Sequence, residues 1–284
     1  AAYGYSRVKG LNAQVAIVST PLAAPVIAAT RLRKGNIDSG HGAARMIGDS
    51  LATLRKAVPT TPGLVIVRAD SAYFRHDVIA AATAGRARFS VTARLNKAVV
   101  RAIAGIDEGS WTTIRYRDAI YDEVEQRWIS QAEVAEVPFV AFRSRKIAER
   151  VEGRLVIRQI PDLNPKQVEQ PTLFDSYRHH ALFTTTDKQT MGTVAADKTH
   201  RGHAIIEQVH ADLKAGPLAH LPSGVFTANS VWLVLAVIAF NLPRAAGLIA
   251  DQVGRLARAT TATIRRTLIS VPARLARSAR RITL

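Results

Sequence analysis

The stretch THRGHAIIEQVHADLK places His200, His203, Glu207, His210 and Lys214 at intervals of three, four, three and four residues. On a helix of 3.6 residues per turn these five side chains fall within an arc of about 80°. Ile205, Ile206, Val209 and Leu213 occupy the opposite side, so the segment reads as an amphipathic helix. A solvated face usually mixes Glu with Lys. This one sets a single acid in a stripe of potentially cationic side chains with three histidines, so a functional face stands beside the plain reading of a solvated one. Asp70 is the second chemically informative residue. It closes the apolar run of VIVRADSAYF, just before a loop and a helix. In open α/β sheets the carboxyl end of a strand is where ligands bind, although a turn or cap role fits an Asp there as well. Asp77 suits a cap for the helix over 76–84, and Tyr73 and Phe74 suit the core or its rim. A zinc hydrolase built on His200, His203 and Glu207 or His210 is a weaker reading, because the Glu does not lie between the ligands as in His-Glu-x-x-His.

Elements that would position these residues can be read along the chain. Residues 13–19 (AQVAIVS) and 25–32 (PVIAATRL) read as two strands around a Thr20-Pro21 turn. After the loop GNIDSGHG, residues 43–58 read as an amphipathic helix with Ser39 or Asp38 near its cap. LVIVRADS is a β-branched run typical of a buried strand, 76–84 a helix, and RFSVTAR (88–94) a strand. This alternation predicts an α/β layer architecture. A helix is expected over 96–105. WTTIRYRD, VPFVAFRS and RLVIRQI then read as strands, followed by a polar, Pro-containing loop over 161–171 and the strand HHALFTT. Helices over 199–215 and 228–250 complete the pattern. The expected organisation is a core in two parts (1–95 and 179–250), a strand-rich insertion (96–178) and a basic helical tail (251–284).

Charge defines the partner class. The 284 residues carry 39 Lys and Arg against 22 Asp and Glu, a formal net charge of +17, so a polyanion such as nucleic acid is expected. The absence of cysteine excludes disulfides, thiolate nucleophiles and cysteine-bound zinc, and it suits a reducing cytoplasm. The longest apolar run, Val231 to Phe240, is ten residues, whereas a membrane span takes about 20. It reads as a buried core helix, with no membrane partner expected. From Arg244 onward the chain holds nine Arg and one Asp, either a solvated extension or a phosphate-binding arm.

Three stretches together resemble the insertion-sequence transposases of the DDE type, named for Asp-Asp-Glu. They are YGYSRVKGLNA (3–13), VIVRADSAYF (65–74), and HRGHAIIEQVHADLKAGPLAHLPSG with the following FTANSVWLVLAVIAFNL (200–242). The third is similar to the Tyr-x2-Arg-x3-Glu-x6-Lys motif of one large transposase superfamily, with His200, His203, Glu207 and Lys214 in those places. The two His replacements look like an actinobacterial branch, the insertion-sequence thirteen-eighty family. The resemblance extends through the tail IRRTLISVPARLARSARRITL.

That resemblance implies a ribonuclease H-like mixed sheet flanked by helices and interrupted by a strand-rich insertion. It implies Asp70 as the second catalytic carboxylate and Glu207 as the third, holding two Mg²⁺ (or Mn²⁺) ions that cleave DNA and join the element's ends to a target. His200, His203, Lys214, Arg265 and Arg266 are the implied DNA contacts. A homodimer assembled on DNA, in the cytoplasm at the nucleoid, is the implied setting. The family's first Asp lies on the first strand, before the Gly-Tyr stretch, but no Asp or Glu precedes Asp38 here. The expectation is therefore a chain lacking that first strand and its Asp, and inactive by itself. The competing expectation is a basic DNA-binding protein whose acids are structural.

Overall fold

The structure is a computed structural model. It describes the chain apart from residues 5–6, 61–62, 116–120, 124–126, 129–130, 162–176, 253, 273–275, 279–280 and 284. The expected loop over 161–171 falls almost wholly outside the described residues. Backbone contacts divide the chain into a first unit (1–38 with 204–284) and a second unit (39–203).

In the first unit, β1 (Ala2–Tyr3), β2 (Lys9–Val18) and β3 (Val26–Lys34) form an antiparallel sheet in the order β1-β2-β3. The β2–β3 pairing contains a bulge at Ala16/Ile17. Just beyond β3, a Cβ on Gly35 would lie 2.4 Å from the Ala2 carbonyl oxygen and 2.8 Å from that of Gly10. Only glycine allows that approach of three backbones.

The second unit opens with α1 (Ala43–Ala57), whose N-cap is Gly42 at φ 76 rather than the expected Ser39 or Asp38. Next come β4 (Ile66–Ala69), α2 (His76–Ala84), β5 (Arg88–Ala93) and α3 (Lys97–Ala104). The strands β6 (Thr112–Arg115), β7 (Tyr121–Asp122), β8 (Arg127–Trp128), β9 (Gln131–Ala141), β10 (Val151–Pro161) and β11 (Tyr177–Thr184) come after them. β4, β5, β6, β9, β10 and β11 form one mixed sheet in the order β4-β5-β11-β10-β9-β6, in which β4 and β5 pair in parallel and the rest antiparallel. The fold is thus mixed α/β with helices against the sheet, as expected for a ribonuclease H-like domain. The strands read as an insertion pair directly with β11, which pairs with β5. The sheet is continuous through them.

Strand alternation gives the sheet two different faces. Val67, Ala69, Phe89, Val91, Ala93, Leu155, Ile157, Ala181 and Phe183 share the main core with Val78, Ile79 and Ala82 of α2 and Val99 of α3. The other face carries a smaller apolar cluster, Val156 and Leu182 with Ala196. Ala196 belongs to α4 (Thr193–Arg201).

The helix expected over 199–215 is interrupted. After α4 comes a 3-10 turn at Gly202–Ala204, then α5 (Ile205–Lys214) in the first unit. Gly202 is a poor helix former, and its N–H bonds back to the carbonyls of His200 and Lys198.

α6 (Phe226–Ala250) buries Asn229, Leu233, Ala236, Phe240, Arg244 and Gly247, one stripe at spacings of three and four. It packs on β3, where Ile27 joins Val209, Leu213 and Phe240 in a core. The apolar run is not wholly buried as expected. Val231, Val234, Leu235, Ile238 and Leu242 form an exposed second stripe. By length and composition α6 could cross a membrane. Its inward side, however, is polar at two points: Asn241 pairs with both backbone groups of Ile27, and Arg244 with Asp212.

The tail is less helical than expected. It holds a 3-10 turn (Leu256–Arg258), α7 (Thr261–Ile264) and a π-helix (Arg265–Ile269). Pro272, which cannot continue a helix, comes shortly after. A strand pair, β12 (Ala276–Ser278) and β13 (Arg281–Thr283), ends the described chain.

Candidate active site

Asp70 stands one residue past β4, at the carboxyl end of a strand whose inner face lies in the main core. It is exposed, and its Oδ1 accepts a hydrogen bond from Ala72 N at 2.9 Å, capping the 3-10 turn Ser71–Tyr73. The cap role and the exposed strand-end position therefore coexist. Tyr73 and Phe74 pack against the core, Phe74 with its ring 5.5 Å from Phe183 and 5.4 Å from Phe142. Asp77 is not the α2 cap. Arg75 holds that position, and Asp77 pairs with its Nε at 3.1 Å.

Glu207 lies exposed in the first turn of α5, where a carboxylate is favoured by the helix dipole. Lys214 is exposed in the last turn. His210, between them, is half-buried, and burial together with Lys214 lowers its pKa. The Val209 and Leu213 side chains of α5 enter the first unit's core. On its flank, Asp212 accepts hydrogen bonds from Arg244 of α6 and from the Thr261 N–H that begins α7. The Arg244 guanidinium also donates to the Phe240 carbonyl and to Thr261 Oγ1, and lies 3.4 Å from the centroid of the Phe240 ring. Despite partial burial, these hydrogen bonds hold the Asp212 carboxyl below its usual range.

The broken helix changes the role open to the histidines. His200 belongs to α4 and Glu207 to α5, with the 3-10 turn Gly202–Ala204 between them. His200 turns onto β5, with Nδ1 2.9 Å from Ser90 Oγ and Nε2 3.1 Å from Thr92 Oγ1. Its pKa is lowered to about 4, chiefly by burial and then by His203, Arg68 and Arg158, against a smaller opposing effect of Asp197. At neutral pH it is an uncharged ring with both nitrogens engaged, unlike a protonated phosphate donor. The His203 ring stacks on it at 6.4 Å. Arg265 and Arg266 are exposed on the π-helix, beside a 200 Å³ depression that they line with Ala262 and Ser270.

Sequence reasoning missed Arg68. On β4, two residues before Asp70, it points to the polar sheet face, and its Nη1 donates to the Thr199 carbonyl at 2.7 Å. In an unbroken helix that carbonyl would accept from the N–H four residues on. A Cβ on Gly202 would lie 2.7 Å from the same Nη1. The available signal was a cation inside an otherwise apolar strand. Asp197 escaped notice too. It is 3% exposed and holds Arg158 and Arg201 on the same sheet face.

Mg²⁺ and Mn²⁺ take oxygen ligands and keep several waters. Asp70 and Glu207 are exposed and have no ion-pair partner among the described residues, in contrast to Asp197 and Asp212. Their donor chemistry fits such ions. Among the described residues, no three His, Asp or Glu side chains gather closely enough to hold a metal ion.

Comparison with known proteins agrees with the sequence resemblance at family level. No curated protein matches the chain. Residues 23–284 match the family described as transposase DDE domain group 1, a span that includes both carboxylates and the basic tail. The chain belongs to that transposase family.

Proposed function

We propose that this chain serves metal-dependent cleavage and strand transfer at the ends of an insertion sequence of the insertion-sequence thirteen-eighty family, with Asp70 and Glu207 as metal-holding carboxylates. The family match over 23–284 carries the reading. Both acids are exposed and, among the described residues, have no ion-pair partner in a chain of net charge +17, which supports it. Bound Mg²⁺ or Mn²⁺, two ions in this reading, would activate a water or a DNA hydroxyl and stabilise the leaving oxygen. The protein's own part is to hold carboxylates at fixed points on rigid elements and to grip phosphates with Lys214, His203, Arg265 and Arg266. His200 contributes by packing rather than by charge. The setting is a homodimer assembled on double-stranded DNA at the nucleoid, without a membrane partner.

The test is Mn²⁺ binding by electron paramagnetic resonance, with the chain loaded on DNA carrying the element's ends. Asp70→Asn and Glu207→Gln should each weaken Mn²⁺ binding by about tenfold or more, at least the loss typical of groups that merely orient metal ligands, and leave DNA affinity intact. A nicking assay on supercoiled DNA in Mg²⁺ or Mn²⁺ is run on the same variants. Unaltered metal binding in both variants, with tight DNA binding, would leave the second reading standing: a basic DNA-binding protein with structural acids.

A further inference from the structure

We infer that Arg68 is a positioning residue for Asp70, tying the strand that ends in this carboxylate to the C-terminal turn of α4. The inference rests on Asp70 being a metal carboxylate.

β4 is a weakly held strand. It is four residues long and, among the described residues, lies at the edge of the sheet with β5 as its one hydrogen-bonded neighbour there. Its apolar residues Val67 and Ala69 fix one face in the core, but alternation leaves Arg68 and Asp70 on the other. A strand anchored on one face with one neighbour has little to hold its terminal residue to the fraction of an ångström that metal ligation needs.

Arg68 supplies the missing anchor. Its guanidinium caps the Thr199 carbonyl at the end of α4, where a cation is favoured by the helix dipole. The site is built around it. Gly202 leaves room for the guanidinium, and His200 pins the same helical turn to Ser90 and Thr92 of β5. Ser90 is the residue that pairs with Arg68 across the two strands. One turn of α4 is thereby fixed to both parallel strands, on β4 at the residue two before Asp70.

Charge and position predict opposite outcomes, which makes the test sharp. Removing a cation near a carboxylate should tighten metal binding by Coulomb's law, whereas loosening the carboxylate should weaken it. Arg68→Met in the full chain is expected to weaken Mn²⁺ binding about tenfold, the loss typical of groups that orient metal ligands. Its affinity for end DNA and the salt dependence of that affinity should stay unchanged. Arg68→Lys, which can still reach the carbonyl with a single donor, should recover part of the loss. The double variant Ser90→Ala/Thr92→Val loosens the same turn from the other side with no change of charge. It should weaken Mn²⁺ in the same direction, and it serves where Arg68→Met fails to fold. Mn²⁺ binding that is equal or tighter in folded variants overturns the inference. So does a loss of DNA affinity with a salt slope reduced by about one, the mark of a phosphate contact. Asp70→Asn run alongside separates the two levels: if it binds Mn²⁺ like the parent chain, the carboxylate assignment itself fails.

Discussion

Each unit holds its chemistry-bearing helix in place with a polar anchor, and the two anchors work on different electrostatic plans. In the second unit a neutral imidazole sits between two hydroxyls and an arginine caps a helix carbonyl. In the first, Asp212 and Arg244 form an ion pair with side chains 12% and 5% exposed, knitted by Thr261 and Phe240. Both satisfy polar groups that burial would otherwise penalise. They differ in what breaks them. The neutral anchor fails when a proton arrives, and the ion pair fails when either charge is removed.

Breaking the ion pair should give the larger effect. Asp212→Asn leaves the Arg244 guanidinium buried without its counter-charge, and a loss of about 3–5 kcal/mol is expected. Urea unfolding read through Trp232 of the first unit measures it. Replacing both partners together, Asp212→Leu with Arg244→Met, should recover most of that loss, since a buried pair contributes little over apolar packing. A double variant no better than Asp212→Asn would show that the hydrogen bonds to Thr261 and Phe240, rather than the charges, hold the helices.

Acid should separate the two units by a smaller margin. With a folded pKa of about 4 against roughly 6.5 unfolded, His200 takes up protons more readily in the unfolded chain between those values. Its stabilising contribution is complete above about pH 6.5, declines as pH falls through that window, and is gone below about 4. Asp212 has its pKa lowered from 3.8, so its contribution persists above that pH and is lost only as pH falls through the folded value. His179 and His180 shift with His200 in the second unit, and His210 shifts the same way in the first. Between pH 7 and 4.5 the second unit, read through Trp111, should therefore lose more stability than the first. Roughly 2 kcal/mol of that loss is expected from His200 after allowing for its residual exposure. His200→Gln keeps hydrogen-bonding atoms but no titration, and should flatten the second unit's pH dependence by that amount. An unchanged slope would remove His200 from the account.

The smallest effect calibrates the others. Arg75 and Asp77 form an ion pair at 3.1 Å, but both side chains are about half exposed. Arg75→Ala should cost under about 0.5 kcal/mol in the same unfolding assay. A larger loss would mean that surface charge matters more in this basic chain than burial does.

Much of this arrangement was legible in the sequence where hydrophobic period is strong. β2, β3, β5, α2 and α6 were placed within a few residues, because each has an apolar face or stripe that must be buried. The strand-end position of Asp70 was legible for the same reason, as the first acid after a buried run. The interruption between His200 and Lys214 was not legible, because spacing along a helix presumes that the helix continues. Gly202 and the Arg68 cap end it, and a cap donated from 131 residues away leaves no local pattern. Arg244 looked like the first cation of a basic tail, yet it is buried against Asp212. Its partner is a long-range choice that periodicity does not encode.

The π-helix at Arg265–Ile269 carries a consequence for how this chain tolerates change in length. Its closing bond, Ser270 N to the Arg265 carbonyl at 2.7 Å, spans five residues where an α-helix spans four. A π-turn is thus an α-helix holding one residue too many. Deleting a single residue here would let the helix close as a regular α-helix rather than break it. Every side chain beyond the deletion would then turn by about 100° about the helix axis, and Arg265 and Arg266 would lose their alignment with the residues beyond the helix. In this segment a one-residue deletion is a rotation, while in β4 or β5 the same deletion would move each later side chain of the strand to the opposite face.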